Sequence, residues 1–166
     1  MIVKAIPHLP KDVKIIIAPH EVDSTHIATV LDTFGEEAVR FGDFDPQKDH
    51  HRILVMDRIG YLSAIYRCAE LAYVGGGFGT GIHNILEAAV YGIPVLFGPN
   101  NAKFPEAEGL QKLKGGYEVN DQETLNVALE QLLNDQAHYE EACRGSASFM
   151  ERNKGATTRV FKNLKL

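Results

Sequence analysis

The sequence comprises 166 residues, 45% hydrophobic and 23% charged, with 17 basic and 22 acidic side chains and a formal net charge of −5. That length suits one domain with a real core, and the composition is that of an ordinary globular protein. The acidic balance argues against a general nucleic-acid binder, which would carry a basic face. No run approaches the roughly 20 apolar residues of a membrane span, and there is no signal-peptide pattern. Cys68 and Cys143 lack metal-type spacing and are expected to be reduced, buried thiols of a cytosolic protein.

Ile2 to Ile6 reads as the end of a helix, followed by a loop holding Pro7 and Pro10. Lys14 to Ala18 (KIIIA) is an apolar run bounded by polar residues, the pattern of a strand buried on both faces. An α/β domain normally opens on a strand, so the chain reads as beginning in mid-unit. Pro19, His20 and Glu21 follow at the strand's carboxyl end. Asp23 or Ser24 can cap a helix carrying Ile27, Val30, Leu31 and Phe34 and ending near Gly35. Ala38 to Phe41 is a short strand, 42–52 a polar surface loop, and Ile53 to Met56 another buried strand. Ile59 to Ala69 repeats apolar residues at helical spacing.

Leu71 to Pro99 (LAYVGGGFGTGIHNILEAAVYGIPVLFGP) is a buried strand, a glycine turn, a short apolar helix starting near His83, and a second buried strand. Lys103 to Leu113 is an amphipathic helix and Gly116 to Val119 a strand. Asn120 with Glu123 three residues on has capping-box spacing, opening a helix with Leu125, Leu129, Leu132 and Leu133 inward. From Gln136 the chain reads as helix with a break near Asn153–Gly155. Strands and helices alternating in units of about 25–30 residues predict an α/β fold, a Rossmann-like three-layer sandwich with a parallel sheet, as a single domain over 1–166. A ligand is expected outside the carboxyl ends of the strands.

Five glycines, Gly75, Gly76, Gly77, Gly79 and Gly81, fall within seven residues between a strand and a helix. Backbone amides there, with a helix N-terminus behind them, suit an anion such as phosphate. Tight strand-to-helix packing would need only one or two glycines, so anion binding is favoured. No Lys-Ser/Thr pair closes a P-loop. The dinucleotide fingerprint fails too, because Ile82 stands where it wants Gly or Ala and no acid ends the next strand. Glu87 sits among apolar helical neighbours, where a carboxylate needs a partner. Asn84, at capping-box spacing, and a sugar diol are equal candidates for that partner. Pro19–His20 and Asp57–Gly60 share the expected ligand edge. His50–His51 has no obvious third ligand for a metal. No nucleophile elbow or hydrolytic carboxylate pair is present, so the residues point to nucleotide binding without an evident catalytic base.

The long pattern ILVMDRIGYLSAIYRCAELAYVGGGFGTGIHNILEAAVYGIPVLFGPNNAKFPEAEGL resembles the carboxyl-terminal half of bacterial 3-deoxy-D-manno-octulosonic acid (Kdo) transferases, two-domain glycosyltransferases of the GT-B type. The likeness runs from about Lys14 onward, and Asn153-Lys154-Gly155-Ala156 resembles the N-x-G-A near that family's carboxyl terminus. The resemblance implies an inverting, metal- and cofactor-independent transfer of Kdo from CMP-Kdo to a lipid A precursor in lipopolysaccharide biosynthesis. It assigns Gly75, Gly76 and Gly77, with Gly79 and Thr80 after them, to the donor phosphate. Asn84 would hold phosphate, Glu87 ribose, and the backbone of Ile59 and Gly60 the cytosine, with Pro19 and His20 at the strand-end donor region. His20 stands where many relatives have arginine, and Phe78–Thr80 lacks the arginine many carry after the glycines.

The family's general base lies in an amino-terminal acceptor domain, so no catalytic residue is expected in this chain. The resemblance therefore implies an excised domain, inactive alone. Acceptor binding and attachment to the cytoplasmic side of the inner membrane would belong to the other domain. The alternatives are a GT-B transferase or epimerase using a uridine nucleotide, and a non-catalytic nucleotide-binding module.

Overall fold

The computed structural model describes residues 1–48 and 50–155. The chain divides into two compact units, one of residues 6–65 and the other of residues 1–5 together with the chain from Tyr66 onward. A short helix α1 (Ile2–Ala5) therefore belongs with the second unit, where it packs on α6 below.

The first unit contains β1 (Ile15–Ile17), α2 (Ser24–Phe34), β2 (Ala38–Arg40) and β3 (Ile53–Val55). Its three strands run parallel in the order β1-β3-β2, with Ile15 and Ala38 both in register with Ile53. The helix forms where the sequence signals it. Asp23 accepts hydrogen bonds from the amides of Thr25 (2.8 Å) and His26 (3.0 Å), and Gly35 ends the helix at φ +53°. Ile27 of α2 is buried with Ile6, Ile53 and Val55, and Val30, Leu31 and Phe34 pack around them. The expectation that β1 is buried on both faces fails at Ile16, which is 41% exposed. Successive strand residues point to opposite faces, and Ile15 and Ile17 face the α2 core.

The irregular segment before β1 is held by one side chain. Arg52 is buried, and its guanidinium donates to the carbonyls of Ile6 (3.2 Å), Leu9 (3.0 Å) and Pro10 (3.0 Å), while Nε donates to Val13 (3.2 Å). A fork of N–H donors thus ties together four backbone carbonyls of the segment, two of which, Ile6 and Pro10, also close tight turns. Gly60, at φ +93°, stops helical structure from reaching back to Ile59, so α3 is only Leu62–Tyr66.

The second unit contains β4 (Ala72–Val74), α4 (Leu86–Ala89), β5 (Val95–Phe97), α5 (Pro105–Lys112), β6 (Gly116–Glu118), α6 (Gln122–Asn134) and α7 (Gln136–Asn153). Its strands are parallel in the order β4-β5-β6, with Val74 opposite Phe97 and Phe97 opposite Glu118. Every residue of the central β5 is buried, and Val95 and Phe97 join Ile85, Ala88, Leu110 and Phe149 in the core. Parallel pairing holds throughout, as expected, and it is divided between two three-stranded sheets.

Two local expectations are corrected. The α6 cap is Asp121, not Asn120: its carboxylate accepts from the Thr124 amide (2.8 Å), and the Thr124 hydroxyl accepts from the Asp121 amide (3.0 Å). The reciprocal pair is the same device, shifted by one residue and built with a hydroxyl in place of Glu123. Cys68 is exposed and Cys143 half-buried, so neither is a buried thiol. Cys68 falls in the turn after the shortened α3. The expected break after the last helix appears at Lys154, whereas Ala156 and the rest of the predicted terminal helix lie outside the described residues.

The α7 helix crosses the turn between α5 and β6 at backbone distance. A Cβ at Gly145 would lie 2.1 Å from the carbonyl oxygen of Leu113, and one at Gly115 would lie 2.4 Å from the amide nitrogen of Ser146. The buried Ser146 hydroxyl sits 2.7 Å from the Ile93 carbonyl beside this crossing. Gly145→Val should therefore destabilise the protein by about 2–3 kcal/mol in urea unfolding, although valine is accommodated elsewhere in helices at small cost. Unchanged stability would mean that α7 does not cross here.

Candidate functional site

The glycine loop leaves the carboxyl end of β4 and doubles back on itself. The Gly79 amide donates to the Gly76 carbonyl (2.8 Å), and the His83 amide donates to that of Gly75 (3.2 Å). Gly76 adopts φ +88°, and a Cβ there would lie 2.3 Å from the Gly81 carbonyl oxygen. The loop is also held from the side. The Asn100 amide donates to Gly77 O (2.9 Å) and its side chain to Gly79 O (2.5 Å). The amides of Phe78 and Thr80, both exposed residues, have no acceptor among the described residues and are open to an external one. The arrangement is a hydrogen-bonded turn that leaves backbone donors for an external acceptor such as an oxyanion.

Beyond the loop the expected helix is shorter than the sequence suggests. It begins at Leu86 rather than His83: Gly81 adopts φ +139°, and the His83 amide is bonded back to Gly75 instead of entering a helix. A four-residue helix adds little dipole, so anion binding in this unit rests on loop amides. Asn84 is a pivot: its side-chain oxygen accepts from the Leu86 amide (3.1 Å) and its nitrogen donates to Glu87 Oε1 (3.0 Å). The carboxylate partner expected from the spacing is thus present, through a side-chain pair. Glu87 is exposed, so it needs no buried compensation and retains acceptor capacity for hydroxyl groups. Burial, and then the charge of Glu87, push the Tyr66 hydroxyl above its ordinary pKa.

Gly75, Gly76, Gly77, Gly79, Thr80, Asn84 and Glu87 are therefore gathered in the second unit. Two residues absent from the expected set join them. The His83 ring lies over Gly76, 3.2 Å from where a Cβ would be, and Asn100 clamps the loop from the next strand. The His-Asn dipeptide before the helix was the available signal for His83, and the Gly98-Pro99-Asn100-Asn101 turn at the expected ligand edge was that for Asn100.

Pro19, His20, Ile59 and Gly60 belong to the first unit, at the carboxyl ends of the neighbouring parallel strands β1 and β3. Pro19 is half-buried and His20 exposed, while Ile59 is 85% exposed. Next to them Glu21, Asp23 and His26 converge, each with a polar atom within 4.8 Å of the others. Asp23 Oδ2 lies 2.5 Å from His26 Nδ1, and Glu21 lies 3.5 Å from Nε2. The bond to Asp23, and then its charge, hold His26 above the ordinary histidine pKa. Asp23 is held below its ordinary value by the His26 amide first and the ring second.

No family model matches the chain. It is 34% identical over 141 residues to a 3-deoxy-D-manno-octulosonic acid transferase of Aquifex aeolicus, a match covering 80% of this chain and 38% of that protein. It is 32% identical over 105 residues to the enzyme of the same name from Rickettsia bellii, covering 61% of this chain and 25% of the relative. The chain is a relative of the Kdo transferases. It spans little more than a third of the length of the Aquifex enzyme. Among solved structures it superposes on the C-terminal CMP-Kdo binding domain of WaaA from Acinetobacter baumannii with a TM-score of 0.72 and 20% identity, over 89% of this chain and 80% of that one. That likeness establishes the fold, a Rossmann-like α/β arrangement of the kind found in GT-B glycosyltransferases.

The His26–Asp23 pair gives a pH signature independent of any ligand. Because the folded pKa of His26 is raised, the pair's contribution is complete below the unfolded value of about 6.5 and is lost as pH rises through the folded pKa. Asp23→Asn keeps a capping acceptor while removing the charge. The NMR titration midpoint of His26 should fall toward the ordinary value; a midpoint that does not move would show that Asp23 is not its partner.

Proposed function

We propose that this chain is the donor-nucleotide-binding part of a Kdo glycosyltransferase, holding CMP-Kdo while Kdo passes to a lipid A precursor. The observation that carries the reading is the 34% identity to a Kdo transferase over a stretch that includes the glycine loop and the Asn84–Glu87 pair. The name of the Acinetobacter domain, which shares the fold, supports CMP-Kdo as the donor.

In this reading each residue has a modest task. The Phe78 and Thr80 amides take the donor phosphate, and Asn84 supports it from the start of α4. The free acceptor capacity of Glu87 takes the ribose hydroxyls, and Ile59 and Gly60 meet the cytosine. Transfer is attack of an acceptor hydroxyl on the anomeric carbon, with the bond to the phosphate oxygen breaking and CMP departing. Amides fixed by Asn100 stabilise the charge that grows on the departing phosphate, and a pre-set turn costs no reorganisation at that moment. The proton of the acceptor hydroxyl goes to a base supplied from outside this chain. No resident metal or cofactor is needed, because CMP leaves as an already acidic phosphate. Attachment to the inner membrane and contact with the lipid acceptor also belong to the rest of the enzyme.

Titrating the chain with CMP while following amide resonances should move Gly75–Glu87 and Ile59–Gly60. If those resonances stay fixed at millimolar CMP, the site assignment is wrong. Preferential binding of UDP would instead favour a uridine-nucleotide transferase. Glu87→Ala should weaken CMP about tenfold, the scale of a charge-assisted hydrogen bond. An unchanged affinity would leave Glu87 only its contact with Asn84.

A further inference from the structure

The chain after β5 serves two neighbours within the second unit. Asn100 is bonded to the glycine loop, while Asn101 beside it lines a pocket of about 380 Å³. Phe104 and Pro105 at the start of α5, Glu108 and Gln111 farther along it, and Glu118 at the end of β6 complete the walls. Because β4, β5 and β6 are parallel and in register, this pocket and the glycine loop lie at the same carboxyl edge. They also share a side chain. The Phe104 ring that lines the pocket lies 3.2 Å from where a Cβ on Gly81 would be.

The polar groups of the pocket are fixed and only partly used. Asn101 is 9% exposed, and its Nδ2 donates to Gly98 O (3.1 Å) and Glu118 Oε2 (2.7 Å). Both amide hydrogens are then engaged, whereas Asn101 Oδ1 meets no donor among the described residues. Gln111 Nε2 stands 3.5 Å from Glu118 Oε2, at the limit of hydrogen-bonding distance. Glu118 is exposed, and its Oε1 accepts from no donor among the described residues. Glu108 is already paired with Lys112 at 2.5 Å. The pocket thus offers unfilled acceptors, one carboxamide donor and an aromatic wall. Hydroxyl groups, which both donate and accept, fit such a set, with C–H surface against the ring. A carboxylate does not, because Glu118 repels it.

We propose that this pocket receives the hydroxyl-bearing end of the donor's sugar, with Glu118 as its specificity-determining residue. The inference rests on the nucleotide-sugar reading above and deepens it, using residues of one unit alone. Kdo carries both hydroxyls and a carboxylate, so the pocket also sets the sugar's orientation, with the carboxylate held away from Glu118.

The test follows the side-chain amide resonances of Asn101 and Gln111 by NMR, with the chain first saturated with CMP. Free Kdo should then shift both resonances and saturate. Pyruvate, which keeps the keto acid and lacks the hydroxyls, should leave them in place. Glu118→Ala should weaken Kdo about tenfold, the scale of a charge-assisted hydrogen bond, and leave CMP within about twofold. Gln111→Ala should weaken Kdo by a smaller factor, since the bond lost is neutral. Resonances that Kdo leaves fixed while CMP saturates, an equal response to pyruvate, or a Kdo affinity that Glu118→Ala does not change overturns the role of the pocket alone. A loss of CMP as large as the loss of Kdo in Glu118→Ala overturns it too, by reducing Glu118 to a structural part. No saturable binding of CMP by the unmodified chain overturns the nucleotide reading, and the pocket's role with it.

Discussion

Gly77 and Gly98 meet backbone to backbone, and the shape of the glycine loop follows from that contact. A Cβ on Gly77 would lie 2.6 Å from the Cα and amide nitrogen of Gly98, and one on Gly98 would lie 2.7 Å from the Gly77 carbonyl carbon. The two loops can therefore lie directly on one another only if neither position bears a side chain. They are adjacent because β4 and β5 are parallel neighbours in register, so both strands deliver their loops to the same edge. Asn100 then closes the arrangement with two hydrogen bonds to the loop. The Phe78 ring lies against Gly98, 2.8 Å from where a Cβ would be.

Rigidity at that edge depends on what lies behind it. Phe97 precedes Gly98 and is fully buried, as are Val95 and Leu96, so the strand that carries the clamp is fixed by the core. Behind the sheet, α7 approaches the α5–β6 turn through Gly145 and Gly115 and places Phe149 against Gly109. Small residues thus serve both faces of the unit: at the front they let loop touch loop, at the back they let helix touch turn. In the first unit a charged side chain does the equivalent work, as Arg52 gathers four carbonyls of an irregular segment. Removing such a buried fork would take a donor from all four carbonyls, of which only those of Ile6 and Pro10 also accept from a backbone amide, of Leu9 and Val13 respectively, among the described residues.

The chemistry on display is that of holding. Loop amides, an amide side chain and an exposed carboxylate lie in one unit, and an aromatic-supported guanidinium and an exposed isoleucine lie at the strand ends of the other. None is a poised general base or nucleophile: Glu87 is exposed and bonded to Asn84. Fixed loop amides of this kind suit an anion.

Elements with two agreeing signals were legible from sequence alone. Asp23 and Gly35 bracket an apolar face and give α2 almost to the residue, and the unbroken apolar run at Val95–Phe97 gives the buried central strand. The glycine cluster, the Asn84–Glu87 spacing and the family pattern are equally local, and they identify the site-bearing stretch. Positions whose character depends on a distant neighbour were not legible. Ile16 reads like Ile15 and Ile17 but lies on the strand face turned away from α2. Residues 83–85 read as helix yet lie outside it, with the His83 amide bonded back to Gly75. Arg52 reads as part of a polar loop and is a buried anchor, and Arg58 reads as a helix start and is stacked over Phe41. Sequence by itself determined which elements form and which stretch carries the site, since those follow from periodicity, capping and glycine content within a few residues. Only the tertiary structure decided which side chains are committed and which are left to meet a ligand, because that depends on contacts between residues far apart in the chain.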